Sequence, residues 1–281
     1  MESIRLEWFR FLKNLPSLPS QMLSVFEELG RISAMDYNIA RMIQYDPAIA
    51  CRVLEVANNP LYGYPGKISS LQQASGLLGP GVIKNTILTT PLLERFAARD
   101  YLEGKIDYPR MWLHSSVTAA IAGCLGKILR YMESDVCFTA GLIHDIGKIA
   151  LAVHHPGIFQ EVLDLAEKEK TTLIEAEKKS MGFSHADIAV VMVSEWGFPP
   201  ILIEALENCA KPTPPTSQLA ALIQLSKSLA IDWGYPDGME THFPRQYDAL
   251  FSSLGISNEN LATWKKELTE YADYVVHSCE D

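Results

Sequence analysis

The chain has no Cys-x-x-Cys pair, no long basic run and no stretch with the strict apolar–polar alternation of a half-buried strand. Each absence removes a class of protein. The five cysteines stand at 51, 124, 137, 209 and 279. An odd, scattered set speaks for reduced thiols in a cytoplasmic setting rather than for a disulfide framework or a zinc–cysteine cluster. Lysine and arginine number 24 against 34 aspartates and glutamates, a net charge of −10. So acidic a chain argues against the phosphate-neutralising surface of a non-specific nucleic-acid binder. No apolar run is long enough to span a bilayer, because His144, Asp145 and Lys148 interrupt the best candidate. Glu2, Arg5, Glu7 and Arg10 likewise interrupt the start, where a signal peptide would be apolar. Gly76 to Gly81 carries glycines but leads to no phosphate-loop lysine, and no nucleophile–base pair is visible.

What remains is apolar and helical. The chain has 281 residues, 48% of them apolar, enough for a sizeable core and for two subdomains. Ile4, Trp8, Phe11 and Leu15 form one stripe, and Met22, Phe26 and Leu29 another. The first stripe reads as packing on its own domain, or as a docking helix for a partner or membrane surface. Asp46-Pro47 is an N-cap followed by proline at the first helical position, with Ala50, Val53, Leu54 and Ala57 as that helix's inner face. Asn58-Asn59-Pro60 stops the helix. Ser70 caps a helix to Leu78, which Gly79-Pro80-Gly81 separates from the next. After a polar break from Arg99 to Tyr108, Pro109 starts a helix with His114, Val117, Thr118 and Ile121 on one face. Thr172 with Glu175 fits a capping box, and Ser184 caps a helix carrying His185, Ile188, Ala189 and Met192. Lys211 to Thr216 is a proline-rich linker, and Asp232 to Gln246 an ordered loop. Leu261, Trp264, Leu268, Tyr271 and Val275 form a last stripe, which either packs back on the domain or makes a homodimer contact.

The ionisable residues of interest sit inside the apolar segment Ala140 to Val153, which otherwise reads as one helix. A buried histidine and aspartate are costly unless paired or metal-bound. His144-Asp145 therefore reads either as a hydrogen-bonded pair in a helical core or as part of a divalent-metal site. His114 points where its apolar neighbours point, and His185 opens a helix of the same kind.

Two parts of the chain then resemble known families. His114, His144-Asp145 in the form His-Asp-Ile-Gly-Lys, and His185 resemble the HD superfamily of metal-dependent phosphohydrolases and its HD-GYP branch. Leu15-Pro16-Ser17-Leu18-Pro19, Asp46-Pro47-Ala48, Ala57-Asn58-Asn59, Tyr62-Gly63, Ile68-Ser69-Ser70-Leu71 and Trp196-Gly197-Phe198-Pro199 resemble the HDOD (HD-related output) domain from about Leu15 to Trp233. The resemblance implies an all-α fold: a multi-helix HD-like bundle at 101–233, an N-terminal helical subdomain at 1–100, and a loop and C-terminal helix at 234–281. It implies a remnant metal site at His114, His144, Asp145 and His185, able to take a divalent metal such as Fe, Mn, Zn or Ni. Asp145 and Lys148 are the residues that catalysis would use.

The departures are as informative. Asn208-Cys209 stands where two-metal members carry paired histidines, and Lys227 stands where a last aspartate ligand is expected. An ammonium has no lone pair to give a metal. The resemblance with this incomplete set implies a bacterial signalling output module that works through an unidentified protein partner without catalysis. The alternative is a metal-dependent phosphohydrolase acting on a nucleotide or cyclic dinucleotide.

Overall fold

The computed structural model describes residues 46–88, 106–131, 133–211, 217–239 and 246–280. Both N-terminal stripes, at 4–15 and 22–29, and the linker at 212–216 lie outside the described residues. Among those described there are helices and turns but no strand.

Helix α1 (Pro47–Ala57) starts as its sequence demands. Asp46 Oδ1 accepts from the Ala48 and Ile49 amides at 2.8 and 3.0 Å, and Pro47, with no N–H, needs no acceptor there. Asn58 does more than end the helix. Its amide donates to the carbonyls of Leu54 and Ile68, and its oxygen accepts from the Ile68 amide. Those bonds clamp the ends of the loop 59–67, whose 3-10 turn Pro60–Tyr62 is capped by Asn59. The loop holds Leu61 90% exposed and Tyr64 50% exposed.

Helix α2 (Leu71–Leu88) is two helical segments that meet at a kink, and the separation falls at Gly79-Pro80, where the sequence places it. Gly79 leaves helical geometry at φ 69°, and Pro80 cannot bond back to the preceding turn.

Helix α3 (Tyr108–Leu129) is the axis of the bundle. It is buried without a break from His114 to Gly126. Helix α4 (Ser134–Ile143) packs along it at close range, because a Cβ on Gly141 would come within 2.9 Å of the Ala119 backbone. Glu133 is the N-cap position of α4, without a side-chain cap bond, and Ser134 is its first helical residue. Helix α5 (Ile146–His154) follows after two residues, so Ala140 to Val153 is broken at His144-Asp145. In a continuous helix adjacent side chains diverge by about 100°. The break, with Asp145 at φ −102° and ψ 17°, lets both face one point. The apolar stretch Ser134–His154 has the length and hydropathy of a membrane span, but most of it is buried in the bundle, where its apolar surface serves the core.

Four shorter helices follow: α6 (Pro156–Glu169), α7 (Leu173–Met181), α8 (His185–Glu195) and α9 (Pro200–Cys209). Capping boxes at Thr172/Glu175 and Ser184/Asp187 set the starts of α7 and α8. Helix α10 (Gln218–Asp232), buried from Leu219 to Ala230, lies against α3, α4 and α9. A loop at 233–239 leads away from it. Helix α11 (Tyr247–Leu254) packs on α10, and α12 (Asn258–Glu280) lies along α3. Of the last apolar stripe, Leu268 is buried, Leu261 and Trp264 partly so and Tyr271 exposed, while the Val275 side chain lies outside the description; neighbouring Ala272 is buried too. One apolar core runs from α1 to α12, and the Leu71 amide donates to Thr139 Oγ1 at 3.3 Å across the α2–α4 contact.

Candidate functional site

Three elements converge on one buried point. Helix α3 brings His114, the α4–α5 break brings His144 and Asp145, and the donor atoms of the three lie within 4.8 Å of one another. The two imidazoles meet edge to face with centroids 5.3 Å apart. Each ring is fixed through Nδ1, which donates to a backbone carbonyl: His114 to Tyr235 and His144 to Gly141, both at 2.7 Å. A carbonyl only accepts, so Nδ1 carries a proton in each ring, and in a neutral His114 the lone pair sits on Nε2. Both Nε2 atoms are buried without a hydrogen-bond partner, as is Asp145 Oδ1. Burial, with the charge of His144, lowers the pKa of His114 to about 4, outweighing Asp237 and Asp145. His114 is therefore neutral at pH 7, with its lone pair available.

His185 does not join the trio. Its Nδ1 faces both oxygens of Glu177 at 2.8 and 2.9 Å, and the same carboxylate accepts from its backbone amide. Glu177 is wholly buried on the inner face of α7. The placement is enforced by Gly147, because any Cβ there would overlap the His185 carbonyl oxygen. His185 nevertheless repeats the pattern of the other two histidines, with Nδ1 tied and Nε2 buried and unpartnered. An anchored Nδ1 with an open Nε2 is how proteins orient histidine ligands.

Two ammonium groups surround Asp145. Lys148 Nζ is 3.1 Å from its Oδ2, and Lys227 Nζ is 3.5 Å from its Oδ1. His144 Nε2 lies 3.3 Å from the same Oδ2. Lys148 also reaches Asp237 Oδ2 at 2.8 Å. Burial raises the pKa of Asp145, but His144, Lys148 and Lys227 outweigh it and hold the carboxyl well below its ordinary range. Asp237 follows the same logic: burial raises it, Lys148 and His114 prevail, and it stays ionised. None of His114, His144, Asp145, Lys148, Lys227 and Asp237 is more than 4% exposed.

Asp237 escaped the sequence reading, because Asp237-Gly238 looks like turn punctuation. Gly238 does take φ +81°. Its carboxylate nonetheless caps the Met239 amide through Oδ1 and holds Lys148 through Oδ2. Asn208 and Cys209 stay out of the trio: Asn208 bonds Glu204 and Lys211, and burial pushes the Cys209 thiol up to about 12, protonated and a poor ligand.

By spacing, His114, His144 and Asp145 could hold a divalent ion. Two imidazole lone pairs and a carboxylate suit iron, manganese or zinc. The surroundings do not fit one. Lys227 holds one edge of the Asp145 carboxylate and Lys148 the other.

The fold and this histidine–aspartate cluster define an all-α HD-type helical protein. More narrowly, residues 15–212 match the model of the HDOD domain, and the chain belongs to the HDOD family. No curated protein matches the chain. Solved structures do. The MmoQ response regulator of Methylococcus capsulatus is 23% identical with a TM-score of 0.68, over 89% of this chain and 97% of that one. A virulence factor of Campylobacter jejuni is 20% identical with a TM-score of 0.61, over 88% and 93%. An HDOD domain protein of Geobacter sulfurreducens is 21% identical with a TM-score of 0.53, over 98% and 99%. Each is similar in fold.

Proposed function

We propose that this HDOD protein is a signalling output module that acts through contacts with a protein partner and does no catalysis at its buried centre. The observation that carries the reading is the closure of the centre, where every charged or donor residue is at most 4% exposed. A phosphohydrolase needs a cation that meets both water and a phosphoryl group. Here the cationic positions beside Asp145 are held by lysine side chains, and the Tyr235–Asp237 loop covers His114. The surface offers what the centre withholds: the Asn58-clamped loop presents Leu61 and Tyr64 to solvent. The response-regulator description of the Methylococcus neighbour accords with this reading.

The experiment is capture of partners from a bacterial lysate by wild type, Leu61→Asp and Tyr64→Ala, with size-exclusion chromatography reporting self-association. A partner bound by wild type and lost in both variants supports the reading. A second reading, metal-dependent hydrolysis of a nucleotide or cyclic dinucleotide, is favoured by the three unpartnered histidine Nε2 atoms. Purified protein with Mn²⁺ or Fe²⁺ is assayed against cyclic and linear nucleotides. Turnover abolished by Asp145→Ala would establish that second reading.

A further inference from the structure

The buried charges form an alternating chain. Lys227 is 3.5 Å from Asp145, Asp145 is 3.1 Å from Lys148, and Lys148 is 2.8 Å from Asp237. Each ammonium group thus has a carboxylate beside it, and cation and anion alternate along the chain. Two lysines also carry the same charge as one divalent metal. We propose that this centre is built to be complete without a metal: Lys227 and Lys148 are its resident cations, and Asp237 is the carboxylate that holds Lys148 beside Asp145.

Three observations carry this. Lys227 occupies α10, the late helix from which the resemblance expects an aspartate, and it points at the ligand carboxylate itself. A divalent ion on His114, His144 and Asp145 would share Asp145 with both ammonium groups, and each would repel it. Asp237 comes from the loop just after α10, and its charge is felt at both Lys148 and His114. The same loop supplies the Tyr235 carbonyl to His114, donates from the Tyr235 hydroxyl to Asp273 of α12 at 3.5 Å, and lays Gly238 on Arg110 of α3. The charge chain is thus also the clasp that holds residues 233–239 against the bundle.

The inference concerns the centre that the non-catalytic reading treats as closed, and it rests on that reading. Turnover would sink that reading, whereas metal content and charge coupling decide this one. The experiment uses the full chain. Wild type, Lys227→Met and Lys227→Asp are dialysed against Mn²⁺, then analysed for bound manganese and titrated calorimetrically. Wild type holds no stoichiometric manganese, and Lys227→Asp binds it on the order of a hundredfold more tightly or better. In parallel, melting temperatures are compared for Lys227→Met, Asp237→Asn and the double variant, with circular dichroism verifying the fold. Each single change leaves an unbalanced buried charge and lowers the melting temperature. The double change removes one charge of each sign and costs less than the two losses summed. Stoichiometric manganese in wild type, or strictly additive losses in the double variant, would overturn the proposal. The wild-type measurement stands even where a variant does not fold.

Discussion

Lys148 and Asp237 are 89 residues apart in sequence and 2.8 Å apart in the fold, both sealed from solvent. This contact closes the loop after α10 over the histidine–aspartate cluster. The predictions below follow from it and from the packing around it.

Asp145→Ala removes the anion that two ammonium groups share. Breaking a buried pair from one side costs about 3–5 kcal/mol, because the remaining charges stay buried. The urea midpoint of Asp145→Ala should fall accordingly whether or not the protein has activity. An unchanged midpoint would mean that the two lysines find other acceptors without loss.

Gly147→Ala should be severe for the smallest of side-chain additions. The new methyl overlaps the His185 backbone carbonyl, which no rotamer change relieves. Overpacking of this kind costs about 1–3 kcal/mol, and more where backbone must move. Gly157→Ala, where a Cβ meets nothing within 4 Å, is the matched control. Thermal denaturation of the two variants should separate them clearly.

Acid should weaken the fold in two stages. The pKa of His114 is about 4 in the fold, against 6.5 in its absence, so the folded state resists a proton that the unfolded chain takes up. Its contribution is complete above pH 6.5 and is lost as pH falls toward 4, by on the order of 3 kcal/mol. Asp145 and Asp237 have pKa values below the ordinary carboxylate range. Their contribution holds above about pH 4 and goes only below it. Unfolding free energies at pH 7, 5.5 and 4.5 should decline, and a His114→Phe variant should flatten that first decline.

The cysteines give a probe of the core. Cys51, Cys124, Cys137 and Cys209 are all buried, and burial raises each thiol above its ordinary pKa. In a Cys279→Ser background, a thiol reagent should modify them no faster than the protein unfolds. Rapid modification of any one in the native state would place it on a locally opening element.

The fold was largely legible because its punctuation is chemical. Asp46-Pro47, Thr172 with Glu175, and Ser184 with Asp187 announce helix starts, and the structure uses each of them. The break at His144-Asp145 was not legible, since neither residue is a glycine or a proline and the flanking stretch is uniformly apolar. His114, His144 and Asp145 could be singled out because charged groups are rare among such neighbours. The destination of His185 could not. Its acceptor, Glu177, lies among Glu175, Lys178 and Lys179, a run that reads as solvent-facing charge, yet Glu177 is wholly buried. Asp237 was hidden for the opposite reason, because a loop Asp-Gly already has an ordinary explanation in turn geometry. Long-range electrostatic pairing leaves no local spacing to read.

The clamp made by Asn58 has a thermodynamic consequence. Binding normally costs the entropy of fixing loops and rotamers at an interface. Here the hydrogen bonds to Leu54 and Ile68, the proline at 60 and the left-handed Gly63 restrain the backbone beneath Leu61 before any encounter. Were the proposed partner to seat on Leu61 and Tyr64, it would meet a template already set, and little of the contact energy would be spent on ordering the loop. Asn58→Ala would leave both contact side chains in place and still weaken such a complex, through the freedom it returns to the unbound loop.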